Sequence, residues 1–186
     1  MAVVLGDRSI HPFTVEDVLR MLDVGILPED NRLELLHGAL TEKVVKSTTH
    51  EAVKRRLWKW LGQAALEVMS ESPVVVPGRL SAPEPDVAVV EPGEYLNEFP
   101  TAAFLVIEVA LTSLKMDTEV KPALYAAMEV PDYWVVDVPA RRVRVYRDPT
   151  PDGYETITTH GPTGTLQPLA VDVEPLDLAA LFDGLR

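Results

Sequence analysis

Asp86, Glu108 and Lys121 follow one another along the chain in an order that suits phosphodiester hydrolysis. Two carboxylates can fix a divalent metal, the metal acidifies water and neutralises phosphate, and an ammonium orients that water or stabilises developing charge. Each residue stands in a telling context. Glu108 interrupts the apolar run Phe104 to Leu111, where an ionised group without a partner is expensive to bury, so it needs a cation. Asp86 follows Pro85, which lacks a backbone donor and suits the first residue of a strand, so its carboxylate is expected at a strand end. Lys121 precedes Pro122, which fits a first helical turn; this puts the lysine near a helix N-terminus, against the helix dipole. That unfavourable place suggests a lysine kept for chemistry, whose removal leaves stability unchanged or raised. Each also has a plainer reading: a salt bridge for Asp86, a salt bridge or an edge-strand solvent face for Glu108, and a surface pair with Asp117 at i+4 for Lys121.

The rest of the chain must position these groups. Thr14 with Asp17 three residues later predicts a capped helix from Val15 to Leu22, ended by Gly25, Pro28 and Asn31. Arg32 to Val45 alternates around His37-Gly38 and reads as a hairpin. Val53, Leu57, Trp60, Leu61, Ala64 and Val68 recur at helical spacing, giving a long helix after Ser47-Thr48-Thr49. Short strands are expected at Val74 to Val76, Asp86 to Val90, Phe104 to Leu111 and Tyr133 to Val138, with a helix between Asp117 and Met128. Val143 to Arg147 and Tyr154 to Thr159 form an outer hairpin, and a short helix lies near Leu176 to Leu185.

Composition narrows the chemistry. The 186 residues, 47% hydrophobic and 25% charged, suit one globular α/β domain. With no membrane-length apolar run and no signal-like start, the expected location is cytoplasmic. Without cysteine, a metal site must use oxygen and imidazole ligands, which favours magnesium or manganese. The formal charge of -12 opposes nucleic-acid binding in sum. Its distribution does not: Lys43, Lys46, Lys54, Arg55, Arg56 and Lys59 cluster, as do Arg141, Arg142, Arg144 and Arg147, while Arg79 to Lys115 holds only acidic charges between its ends. A basic rim for DNA around an acidic pocket fits this pattern, as do solvated helix and hairpin faces.

Taken together, Pro85-Asp86, Glu108-Val109, Ser113, Asp117-x-x-x-Lys121-x-x-x-Tyr125, Tyr133 to Asp137, the Arg32 to Gly38 segment and His50 resemble the Uma-two family of restriction-endonuclease-like proteins, within the PD-(D/E)XK nuclease superfamily. The resemblance runs from about Thr14 to Phe182 and rests on the combination of motifs. It implies a mixed central sheet flanked by helices, an endonuclease acting on DNA, and Asp86 and Glu108 as metal ligands with the Val109 carbonyl as a third. Ala110 stands where the superfamily motif has lysine, so the lysine role passes to Lys121 on the following helix. Gly38-Ala39 replaces the Gly-Glu frequent in relatives. Glu34 is then the sole acidic candidate from the hairpin, and a second metal is not expected. His50 and Tyr125 are further candidates, the first for phosphate or water and equally for capping, the second to position Lys121 and equally for the core. Asp137 reads as a brace of the site or as an ordinary turn residue. Cleavage of both DNA strands would need two sites, which points to a homodimer. A catalytically weak member acting as a binding or assembly module fits the net charge as well.

Overall fold

The computed structural model describes residues 4–5, 8–28, 32–43, 47–62 and 64–185. Asn31, Val45 and Lys46, which figure in the sequence expectations, lie outside them. The chain opens with β1 (Val4–Leu5) against β2 (Arg8–Ser9), then α1 (Val15–Asp23). Thr14 caps α1 as expected: its hydroxyl accepts from Asp17 N–H and the Asp17 carboxylate accepts from Thr14 N–H. The hairpin of β3 (Leu33–Leu36) and β4 (Ala39–Glu42) turns at His37-Gly38, both at positive φ, as a two-residue turn between twisted strands requires.

Next, α2 (Thr48–Leu61) begins at the Ser47 cap and ends at Gly62, short of the expected Val68. Val68 instead belongs to β5 (Glu67–Met69) and pairs with Val89. Ala64, Leu66 and Val68 pack on the same core as the helix, so apolar spacing could not separate the two elements. Val74 to Val76 is extended and buried without joining a sheet. Its amides bond to the carbonyls of Pro83, Pro100 and Ser81. The flanking prolines 83, 85 and 100 have no N–H to return, which prevents a ladder.

The central sheet continues with β6 (Val87–Val90), β7 (Leu105–Ala110), β8 (Asp132–Asp137), β9 (Arg142–Thr150) and β10 (Gly153–His160). Its order is β10-β9-β8-β7-β6-β5, antiparallel throughout except for the parallel β7–β8 pair. That parallel step is bridged by a π-helical turn (Met116–Val120) running into α3 (Lys121–Ala127). The C-terminal part adds β11 (Thr165–Leu166), β12 (Leu176–Asp177) and α4 (Leu178–Phe182). One face of the sheet packs Val87, Val89, Leu105, Ile107 and Trp134 against α2 and α4; the other packs Ala88, Val90, Val106, Tyr133 and Val135 against α3. Burial on both faces explains why β6, β7 and β8 read as unbroken apolar runs. Among the described residues no helix is long and apolar enough to cross a membrane.

One departure matters for function. Helical turns already precede Lys121, whose N–H bonds back to the Met116 carbonyl, so the lysine does not sit at an open helix start. The wider π turn accommodates Pro122 inside a longer helical stretch, which removes the dipole argument drawn from sequence.

Gly38 is the tightest point of the hairpin. At φ +77°, an added Cβ would stand 2.3 Å from the Pro12 Cβ. Gly38→Ala is therefore expected to destabilise the protein by about 1–3 kcal/mol or more, read as a lower urea midpoint at unchanged m-value.

Candidate functional site

The acidic pair is set by strand register. Val87 pairs with Ile107 across β6 and β7, and continuing that register places Asp86 opposite Glu108. Because β6 stops at Val87, the Val109 N–H has no strand partner there, and the Asp86 carboxylate accepts it at 2.8 Å. His50, on the first turn of α2, brings Nε2 to 3.1 Å from the same carboxylate. Glu108 has the parity of Val106 and Ala110, which aims it at the α3 face.

Lys121 reaches down from α3 with Nζ 2.9 Å from Glu108 Oε1, 3.3 Å from Glu34 Oε2 and 3.8 Å from Asp117 Oδ1. The Tyr125 hydroxyl, one turn further along, donates to the same Glu108 Oε1 at 2.7 Å. Of the two expectations for Tyr125, positioning the ammonium or filling the core, the residue is fully buried and its hydroxyl holds the Glu108 carboxylate. Glu34 accepts the Glu84 N–H at 3.3 Å, which anchors the hairpin side. Glu34, His50, Asp86, Glu108, Val109, Asp117 and Lys121 all line one cleft of about 530 Å³.

Charge in this cleft is out of balance. Among the described residues the cleft holds four buried carboxylates, Glu34, Asp86, Glu108 and Asp117, and a single buried lysine, Lys121, which pairs with Glu34, Glu108 and Asp117. Burial pushes the Glu108 carboxyl up to about 8; Lys121 opposes the shift, while Asp117, Asp86 and Glu34 add to it. Asp117 is likewise raised by burial, against Lys121 and Ser113. Burial alone would lower the lysine, yet Glu108, Glu34 and Asp117 together push it upward. Both shifts have one physical cause: a surplus of negative charge around Lys121 favours the proton on the ammonium and opposes ionisation of Glu108. Both Lys121 and Tyr125 occupy Oε1, so Oε2 takes no hydrogen bond among those described. Carboxylates and one imidazole suit a hard divalent cation, although among the described residues no three such groups already form a ligand cage.

Several residues of the two basic clusters are already held by carboxylates or carbonyls. Lys54 pairs with Glu51 and Glu71, and Arg56 donates to the Leu181 carbonyl on α4. Arg55 and Lys59 are exposed, and none of the four lines the cleft. In the second cluster, Arg142 pairs with Asp137, Arg147 with Asp132, and Arg141 donates to Leu185. Asp137 also accepts from Ala140 N–H, which makes it the turn residue of β8–β9. Asp117, which the sequence offers as part of the shared motif and as an i+4 partner of Lys121 but not as a site residue, is 2% exposed. Its spacing to both Ser113 and Lys121 was the signal available.

An acidic cleft at the strand ends of a mixed sheet with helices on both faces defines an α/β protein with a restriction-endonuclease-like core. The chain belongs to the Uma2 family, described as "Putative restriction endonuclease", which matches residues 15–179. It is similar in fold to a crystal structure from Anabaena variabilis described as a putative nuclease belonging to DUF820: TM-score 0.73 at 21% identity, covering 94% of this chain and 100% of that one. No curated protein matches the chain.

Two measurements probe the cluster. Lys121→Ala leaves buried carboxylates without their cation and should cost about 3–5 kcal/mol in chemical denaturation, contrary to the neutral outcome expected from sequence. Glu108 has a folded value near 8 against 4.5 unfolded, so its contribution is fully present below pH 4.5 and lost as pH rises through about 8. In metal-free protein, stability should fall over that window, and Glu108→Gln should flatten the fall.

Proposed function

We infer that the protein is a divalent-metal-dependent endonuclease that hydrolyses DNA phosphodiester bonds in this cleft. The observation that carries the reading is the surplus of buried carboxylate over cation, at the strand ends of a chain of this family. Asp86, Glu108 and the Val109 carbonyl are the groups that would hold magnesium or manganese. Such an ion supplies neutralisation of the phosphate and acidification of the attacking water. His50 orients Asp86 through Nε2, and Tyr125 fixes Glu108 Oε1 so that Oε2 is presented to the cleft. Lys121 bridges Glu108 and Glu34 and offers positive charge to the negative charge that develops on phosphate. Glu34 and Asp117 keep that lysine charged. Two copies of the chain, each with one such site, would cut both strands of a duplex.

A second reading, a weak or inactive nuclease-fold protein acting as a binding module, is favoured by the pairing of Lys54, Arg142 and Arg147 with carboxylates of this chain. Incubation of the purified protein with supercoiled and linear DNA in magnesium or manganese separates the two. Wild type should nick or linearise DNA, and Asp86→Asn should not. Free metal at about a hundred times its dissociation constant should add roughly 2.7 kcal/mol to wild-type stability, most of which Asp86→Asn should lose. Metal stabilisation without cleavage selects the binding module, and loss of both refutes the metal site.

A further inference from the structure

The buried pairs that hold the site leave its entrance with few cations able to meet a substrate. Carboxylates dominate the cleft lining, and its only lysines among the described residues are Lys43, Lys115 and Lys121. Lys121 is 5% exposed and committed to three carboxylates. Lys43 follows β4 on the hairpin wall, and Lys115 precedes the π-helical turn on the wall that follows β7. Lys115 is exposed, and among the described residues its side chain makes no ion pair or hydrogen bond. Lys43 is paired with Glu84, which also lines the cleft.

We propose that Lys43 and Lys115, from two walls of the cleft, are its substrate-phosphate contacts, and that Glu84 masks Lys43 until a substrate phosphate takes its place. The assignment rests on the nuclease reading and names the substrate contacts of that same site. A polyanion entering an acidic cleft is repelled unless cations meet it at the mouth. The energetics select which pair can open. The Lys43 and Glu84 side chains are 22% and 20% exposed, so water screens their pair and exchange of carboxylate for phosphate costs little. The pairs of Lys121 are buried, and opening them would strand charge. Glu84 reaches Glu34 through its backbone N–H, so its side chain can swing away without releasing the hairpin anchor.

The test is fluorescence anisotropy with a short duplex DNA oligonucleotide over a salt series, calcium filling the carboxylate site and melts confirming that each variant is folded. Lys43→Ala and Lys115→Ala should each weaken binding and each reduce the magnitude of the log–log salt slope by roughly 0.9. Glu84→Gln should tighten binding several-fold, and adding Lys43→Ala should cancel that gain. The paired substitution of Arg55 and Lys59 by alanine should leave the slope unchanged. A slope carried by Arg55 and Lys59 and indifferent to Lys43 and Lys115 overturns the contacts while leaving the nuclease reading intact. Unchanged affinity in Glu84→Gln overturns the masking. If neither wild type nor Glu84→Gln binds DNA at low salt while metal still stabilises wild type through Asp86, the contacts and the DNA reading fall together.

Discussion

One buried ammonium shared among three carboxylates holds the centre of this molecule. Lys121 joins α3 to β7 through Glu108, to β3 through Glu34 and to the preceding helical turn through Asp117. Such a cluster is a poor way to gain stability, because a buried ion pair roughly breaks even against well-packed apolar side chains. Here it does worse, since three carboxylates face a single positive charge. Its retention in an otherwise apolar interior therefore points to chemistry, and the surplus negative charge is what a bound cation would neutralise.

The surrounding packing fixes the cluster from behind. The ring of Tyr125 lies 4.7 Å from that of Tyr133, which stands 5.2 Å from Tyr146, and Tyr154 closes the group 5.9 Å from Tyr146. These rings tie α3 to β8, β9 and β10, and their hydroxyls face inward to polar partners: Tyr125 to Glu108, Tyr133 to the Asp117 carbonyl, Tyr154 to the Val130 carbonyl. A dense aromatic layer of this kind leaves Glu108 few alternative rotamers. The π-helical turn contributes in another way. By widening the helix ahead of Pro122, it lets Asp117 and Lys121 share the cleft without a break in the chain.

Charge is partitioned by burial. Near the sheet centre the ion pairs are dry and fixed, while the cleft pair of Lys43 with Glu84 and the outer pairs of Lys54 with Glu51 and Glu71 are partly exposed. The interior pairs give the site its shape and leave it with more negative than positive charge. The outer ones have low exchange barriers, since solvent replaces much of what a pair loses on opening. An overall charge of -12 is then compatible with an anionic substrate only where local cations are exposed at the cleft.

Several features were written in the sequence by local rules. The Thr14 cap, the His37-Gly38 turn and the apolar strands β6, β7 and β8 follow from side-chain hydrogen bonding, positive φ and unbroken apolar runs, each legible within a short stretch of chain. The odd carboxylates Asp86 and Glu108 stood out for the same reason: each broke a pattern its neighbours kept. Tertiary structure decided the remainder. Whether Val68 continued α2 or paired with Val89 depended on an open strand edge, because a helix face and a strand can bury the same side chains. Whether Lys121 was a surface group or the buried hub depended on Glu34, Glu108 and Asp117 converging from three elements. The partners of Lys54 and Arg56 lie on other elements too, at Glu71 and Leu181. The energy of a charge depends on the opposite charges and solvent around it in three dimensions, and spacing along the chain does not encode these.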